Sequence, residues 1–193
     1  MVKYKHGLFL NPYIESSSNS AMRIFPPVGL EYIATSAKDY IQKITVIDLR
    51  HERKLCDVDN FIEFIRQEGI DFIGVSITWD RQFEEICDLL NRLPKEIPLI
   101  VGGYKATECA VELLEQCENV DIVVRGEGEA TIKEILRDVP LNEILGISYR
   151  NNGEIVHNGF RPFIDADKII PPDRSLRRYK YRLSLNGVNV ANL

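Results

Sequence analysis

Asp71-Phe72-Ile73-Gly74-Val75-Ser76-Ile77-Thr78, Pro98-Leu99-Ile100-Val101-Gly102-Gly103 and Asp121-Ile122-Val123-Val124-Arg125-Gly126-Glu127-Gly128-Glu129 decide the fold. Each is a short apolar run, rich in β-branched residues, that ends in small or glycine-rich residues. Longer stretches with helically spaced apolar residues separate them. Strand–helix alternation of this kind builds a mostly parallel sheet with helices on both faces, and runs apolar at successive positions suit strands covered on both sides. Parallel strands present their carboxyl ends at one edge. Ser76-Ile77-Thr78, Gly102-Gly103 and Gly126–Glu129 therefore line a single crevice, the place where open α/β sheets bind ligands. Glycine lets a ligand lie against the backbone, and small hydroxyls offer hydrogen bonds without bulk.

Working outward, Lys5–Asn11 and Ile44–Asp48 complete a set of five strands. Helical spacing recurs between them: Pro27 in a first turn with Leu30, Ile33, Ala34 and Ala37 on one face; Phe61, Ile62, Phe64 and Ile65; Phe83, Ile86, Cys87, Leu89 and Leu90 behind Asp80 as N-cap; Thr107 with Ala110, Leu113 and Leu114; and Ile132, Ile135 and Leu136. Right-handed crossovers leave few topologies. The pattern predicts a doubly wound α/β fold, flavodoxin-like (Rossmann-like), with a five-stranded parallel sheet in the order 2-1-3-4-5 and the third strand central. Gly146–Arg150 and Glu154–His157 flank Asn151-Asn152-Gly153, and Asn-Gly is a strong hairpin signal. A β-hairpin is thus appended to the domain, which spans residues 1–160. From Arg161 the sequence reads as a connector, residues 161–193, with Pro162, Pro171-Pro172 and a basic run of Arg174, Arg177, Arg178, Lys180 and Arg182 read as solvated. Tyr181 to Leu193 alternates apolar residues again, as the start of a further strand. The chain is expected to be the front portion of something longer.

The 193 residues carry a net charge of −5, which argues against a nucleic-acid footprint. The N-terminus has no signal-peptide character, and no run reaches the roughly 18–20 apolar residues of a membrane span. A cytoplasmic location is expected. Cys56, Cys87, Cys109 and Cys117 lack the spacing of a structural zinc site and read as reduced thiols, with Cys87 filling the core. No Gly-x-Ser-x-Gly elbow or Walker-type phosphate loop occurs, and His6 and His157 stand isolated. The first strand is not followed by Gly-x-Gly-x-x-Gly, which disfavours a dinucleotide site. Two alternatives stay open on this reading: a flavin-binding module of the same fold, or a non-catalytic interaction module. Several residues keep structural readings of their own. Ser76 and Thr78 could cap the next helix, Glu129 could simply favour a helix start, and Trp79 stands either on the crevice or at the core edge.

Five phrases then coincide in order: Phe25-Pro26-Pro27-Val28-Gly29-Leu30-Glu31-Tyr32-Ile33-Ala34, Val46-Ile47-Asp48, Gly74-Val75-Ser76-Ile77-Thr78, Val101-Gly102-Gly103-Tyr104-Lys105-Ala106-Thr107 and Asp121–Glu129, with Gly146-Ile147-Ser148-Tyr149-Arg150 before the hairpin. Together they resemble the N-terminal cobalamin-binding domain of cobalamin-dependent radical S-adenosylmethionine enzymes, the anaerobic magnesium-protoporphyrin monomethyl ester cyclase-like group, over about residues 5–175. The resemblance implies cobalamin as the cofactor, with its nucleotide tail passing Ser76, Thr78 and Gly102-Gly103 and its corrin ring across the strand ends. The implied cofactor-binding residues are Asn11, Pro12, Ser76, Thr78, Trp79, Gly102, Gly103, Tyr104, Gly126 and Glu127, with Gly102, Gly103 and Gly126 keeping the slot clear. The implied partner is a catalytic radical S-adenosylmethionine domain, in cis or in trans, serving methyl transfer or related radical chemistry.

The chain departs from the wider pattern twice. The Asp-x-His-x-x-Gly motif that supplies a cobalt-ligating histidine in many such domains is missing: the loop reads Asn11-Pro12-Tyr13-Ile14-Glu15-Ser16. His51 follows the second strand, in Asp48-Leu49-Arg50-His51-Glu52, and is expected at the surface rather than on cobalt. The Cys-x-x-x-Cys-x-x-Cys run that holds a radical 4Fe–4S cluster is also missing. The cluster and S-adenosylmethionine are therefore expected only in a catalytic domain outside this chain, which has no catalytic residues of its own.

Overall fold

The computed structural model describes residues 2–14, 25–185 and 188–192. Strand β1 (Tyr4–Asn11) pairs in parallel with β2 (Ile41–Asp48) on one side and β3 (Phe72–Ser76) on the other, and β4 (Leu99–Gly102) and β5 (Ile122–Val124) follow in parallel. The order 2-1-3-4-5 expected from the sequence is present, with β3 in its middle. The hairpin β6 (Ile147–Asn151) and β7 (Glu154–His157) adds to β5 antiparallel, so the sheet has seven strands rather than five. Asn152 and Gly153 both take positive φ (51° and 85°), as a tight two-residue hairpin turn requires.

The pleat sorts the strand residues into two cores. Ile47, Leu10, Val75, Val101 and Val123 stand in register across the sheet and face one way. They bury against α2 (Val58–Glu68), α3 (Phe83–Arg92), α4 (Tyr104–Glu108) and α5 (Ala110–Gln116). Phe9, Phe72, Ile100, Ile122 and Val124 face the other way, against α1 (Val28–Ser36) and α6 (Glu129–Leu136). Pro27 is the N-cap of α1, as its fixed φ allows. Helix α3 starts later than its sequence suggests. Its N-cap is Gln82, in the left-handed region, while Asp80 pairs with Lys105 at 2.6 Å. The Gln82 amide is spent bridging both backbone groups of Ile14.

The basic run after the hairpin is solvated at Arg174, Arg178 and Lys180, but Arg177 is not. Arg177 forms a bidentate pair with Glu31 of α1 (2.5 and 2.7 Å), and the two side chains are 5% and 1% exposed. The backbone of Arg178 donates to the Val46 carbonyl at 3.0 Å, so this stretch lies along the outer edge of β2. Asp173 pairs with Lys38, accepts from Ser175 and takes a backbone bond from its own N–H to Thr35 Oγ1. Tyr179 stacks on His51, and the Tyr181 hydroxyl donates to Asp48. Residues 173–181 thus form a strap over an edge strand that would otherwise offer unpaired backbone groups. Opposite charges separated in sequence gave no periodic signal for it. Beyond it, β8 (Arg182–Leu185) and β9 (Val188–Asn192) pair as a separate hairpin.

Because Glu31 is buried, removing its partner leaves an uncompensated charge. Arg177→Met is expected to lower unfolding free energy by about 3–5 kcal/mol in urea denaturation, and adding Glu31→Leu should restore most of it. A loss below about 1 kcal/mol in the single variant would return the strap to a solvated segment.

Candidate functional site

A cleft of about 530 Å³ opens at the carboxyl edge of the sheet, on the α1/α6 side. Its floor follows from the pleat. On this face β3 presents Gly74 and Ser76, and β4 presents Ile100 and Gly102, beside Phe9 and Asn11 of β1. A Cβ on Gly74 would sit 3.0 Å from the Phe9 ring. Glycine inside a strand weakens it and marks a close approach. Here it hollows the sheet face between Phe9 and Ile100. Helices α1 and α6 meet below, where the Gly128 Cα lies against Ile33. Residues 25–30 form one wall, and Gly126–Glu129 with Ile132 form the other.

The turn after β3 is held by a residue that its sequence did not flag. Tyr13 is fully buried, and its hydroxyl accepts from the backbone N–H groups of Thr78 (2.9 Å) and Trp79 (2.7 Å) and donates to the Trp79 carbonyl (2.9 Å). Burial pushes the phenol upward, and the hydroxyl stays neutral. The Trp79 ring rests 4.8 Å from the Tyr13 ring and faces the cleft with its other part, so both sequence readings of Trp79 hold at once. The β4 and β5 turns are tied by Thr107, whose hydroxyl donates to the Gly103 carbonyl and accepts from the Gly126 N–H, both at 3.0 Å.

The remaining wall is electrostatic. Arg50 lines the cleft and is 3% exposed. Its guanidinium takes both oxygens of Asp48 (2.6–3.0 Å) and donates to the Phe25 carbonyl at 2.7 Å. Asn11 donates to the same Asp48 carboxylate at 2.9 Å. Burial opposes the charge on Asp48, but Arg50, Tyr181 and Asn11 outweigh it and hold the carboxyl below its usual range.

Nine of the ten residues expected at the site line this cleft: Asn11, Ser76, Thr78, Trp79, Gly102, Gly103, Tyr104, Gly126 and Glu127. Pro12 does not. Gly103 is there for a different reason from the one its sequence suggests. With φ at 105°, a Cβ would stand 2.6 Å from the Ile77 carbonyl oxygen, so it clears room for the chain rather than for a ligand. A Cβ on Gly102 would make only ordinary contact, and one on Gly126 or Gly29 would meet open space. Ser76 and Thr78 do not cap α3; their hydroxyls lie 3.3 Å from each other. Sequence reading missed Arg50, Gly74 and Gly29 as cleft residues, and placed Glu129 on the crevice as part of the Gly126–Glu129 turn, where the structure has it. Gly74, inside an apolar strand, was the available signal. His51 is absent from the lining and stacks on Tyr179 at 3.7 Å.

A family model for the B12 binding domain matches residues 19–136, which carry all of the cleft lining except Phe9 and Asn11 of β1. The chain belongs to the B12-binding domain family. Among curated relatives, this B12-binding chain is 28% identical to an uncharacterized methyltransferase of Pyrococcus horikoshii over 159 residues, 78% of its own length and 34% of the relative's. It is 23% identical to the anaerobic magnesium-protoporphyrin IX monomethyl ester cyclase of Cereibacter sphaeroides, covering 95% of this chain and 32% of that one. The chain thus spans about a third of the length of these relatives. The fold also matches the radical S-adenosylmethionine methyltransferase TsrM of Kitasatospora setae, solved with cobalamin and a 4Fe–4S cluster bound. The TM-score is 0.62 and the identity 18%, over 90% of this chain and 32% of that one.

The residues present fit cobalamin. The cleft is deep on the sheet side and open at a rim that carries Phe25 and Tyr104, exposed by 68% and 71%. A flat ring with a long tail needs that shape. Among the described residues no cluster of three or more histidine, cysteine or acidic side chains is placed to hold a metal ion.

Two outcomes are expected for this B12-binding domain. Tyr13→Phe leaves two backbone N–H groups without their acceptor and should cost about 1–3 kcal/mol in denaturant, with a shift in the emission of Trp79, the only tryptophan; unchanged emission would detach Tyr13 from the turn. Asp48 lies below its ordinary pKa, and Lys38 and Ser175 hold Asp173 down at about 2. The stability both contribute is complete above an unfolded carboxylate pKa of about 4 and is lost as pH falls toward 2. Melting temperature should fall over that window, and the fall should be smaller in Asp48→Asn.

Proposed function

We propose that this chain is the cobalamin-holding part of a radical S-adenosylmethionine enzyme. The observation that carries the reading is the cleft at the carboxyl ends of β1, β3, β4 and β5, floored by Gly74, Ser76 and Gly102, in a chain of the B12-binding family. Cobalamin, when bound, supplies a cobalt centre that can carry and hand on an alkyl group. The chain's own residues bind and orient it. Gly74, Gly102 and Gly126 leave the backbone accessible beside the tail, Asn11, Ser76 and Thr78 offer hydrogen bonds, and Trp79, Tyr104 and Phe25 give apolar surface to a ring face. Glu127 stands at the edge of the site, and Pro12, next to Asn11 in the chain, lies outside its lining. The loop after β1 carries no histidine, and His51 is engaged with Tyr179, so the chain offers no imidazole to cobalt.

Residues 161–193 lead, in this reading, toward a catalytic domain that brings the cluster and S-adenosylmethionine. This part does no radical chemistry alone, because it lacks the three-cysteine run. The related proteins named as a methyltransferase and a cyclase favour methyl transfer or related radical chemistry for the whole protein. The setting is the cytoplasm. No helix among the described residues is long and apolar enough to cross a membrane.

Hydroxocobalamin should stay with the protein through desalting, with its visible bands retained and Trp79 emission quenched. Gly29 lies in the first turn of α1 with open space before it. Gly29→Phe should fill the cleft mouth and weaken binding at least tenfold without destabilising the fold, since glycine is the poorer helix residue by about 0.5–1 kcal/mol. His51→Ala should leave the bound spectrum unchanged. Uptake of flavin mononucleotide but not of cobalamin would overturn the reading.

A further inference from the structure

The cleft wall carries a polar atom whose bonding is left incomplete by the described residues. Glu129 opens α6 and lines the cleft, and its Oε2 is shut from solvent without a hydrogen-bond partner among the described residues. A buried acceptor in that condition costs stability, and a charged one costs more. Two ordinary accounts do not cover it. Glutamate is favoured in the first turn of a helix, but a carboxylate facing solvent collects that benefit equally. An ion pair is not available within the cleft either. Its charged lining residues are Arg50, Glu127 and Glu129. Arg50 is engaged by Asp48 and the Phe25 carbonyl, and Glu127 accepts the Ile164 N–H at 2.6 Å. Below Glu129, where α6 meets α1, the nearest atoms to a Cβ placed on Gly128 belong to the apolar side chains of Ile33 and Val124.

We propose that Glu129 is a specificity-determining acceptor of the cleft, taking a hydrogen bond from a neutral donor of the bound corrinoid. This rests on the cobalamin reading above. The donor is an amide N–H of the ring periphery or a ribose hydroxyl of the tail; the shared chemistry is an uncharged N–H or O–H. The last side-chain torsion of glutamate is soft, so Oε2 turns to such a donor without moving the helix. The same carboxylate, with Glu127 nearby, repels a negative group. A corrinoid bearing free acids in place of amides is disfavoured there by like charge, which is discrimination through repulsion as much as attraction. By that logic the tail phosphate lies away from α6.

The test compares Glu129→Leu and Glu129→Gln with the wild type. Affinity for hydroxocobalamin is read from Trp79 quenching, and the melting temperature is read on ligand-free protein. Glu129→Leu should melt no lower than wild type, because the uncompensated acceptor is gone, yet bind cobalamin roughly tenfold to a hundredfold more weakly. Glu129→Gln keeps an acceptor oxygen and should lose less. Dicyanocobinamide retains the ring amides and lacks the nucleotide tail. Weakening toward both corrinoids assigns the donor to a ring amide, and weakening toward cobalamin alone assigns it to the ribose. Wild-type affinity in Glu129→Leu, tighter binding in Glu129→Gln, or parallel loss of stability and affinity would each overturn the proposal. Failure of the wild type to take up either corrinoid would remove the cobalamin reading, and this one with it.

Discussion

A single buried carboxylate, Asp48, ties together parts of the molecule that lie far apart in sequence. It ends the outer parallel strand and is 3% exposed. A charge so placed is tolerable only if it is fully hydrogen-bonded. Its partners come from β1 (Asn11), from the turn that follows it (Arg50) and from the far end of the strap (Tyr181). Arg50, fixed in this way, reaches over to the Phe25 carbonyl and so closes the wall of the cleft. The net stabilisation from such a cluster is small, because desolvation offsets most of the attraction. What it contributes is registry: strand end, cleft wall and strap adopt one relative arrangement because any other strands a charge.

The strap has the same logic on the neighbouring helix. Glu31 sits in α1, which walls the cleft with Val28, Gly29, Leu30 and Ile33, and its carboxylate is met only from residue 177. Ligand geometry and the seating of residues 173–181 therefore share two physical elements, α1 and Arg50.

The parallel sheet was legible because β3, β4 and β5 are apolar on both faces, and both faces are in fact covered there. The strand order followed from handedness rules acting on five alternating units. The crevice was legible for the same topological reason, and nine of its ten expected residues line it. What was not legible depends on tertiary pairing. Arg177 read as solvent-facing because its partner is Glu31, on a distant helix. Tyr13 read as loop because its hydroxyl serves a turn more than sixty residues away. Gly103 read as ligand space because φ and the nearness of Ile77 cannot be seen in a Gly-Gly pair.

Three conflicts between local stability and local structure meet in the cleft. Gly74 sits where β-propensity calls for a branched side chain, Gly29 where helix propensity calls for alanine, and Glu129 keeps an acceptor without a donor among the described residues. Away from the cleft, helix α2 follows its local signals: Asp57 caps it by accepting from Asn60, and Gly69 ends it in the left-handed conformation. Sequences violate local rules mainly where function demands it. Each exception here removes a side chain from the cleft or leaves a hydrogen bond for something else to complete. A tightly packed apolar cleft would make a more stable domain and leave no volume for a cofactor. The grouping of Gly74, Gly29 and Glu129 on one face of the sheet and the facing ends of α1 and α6 fits an edge built around a guest.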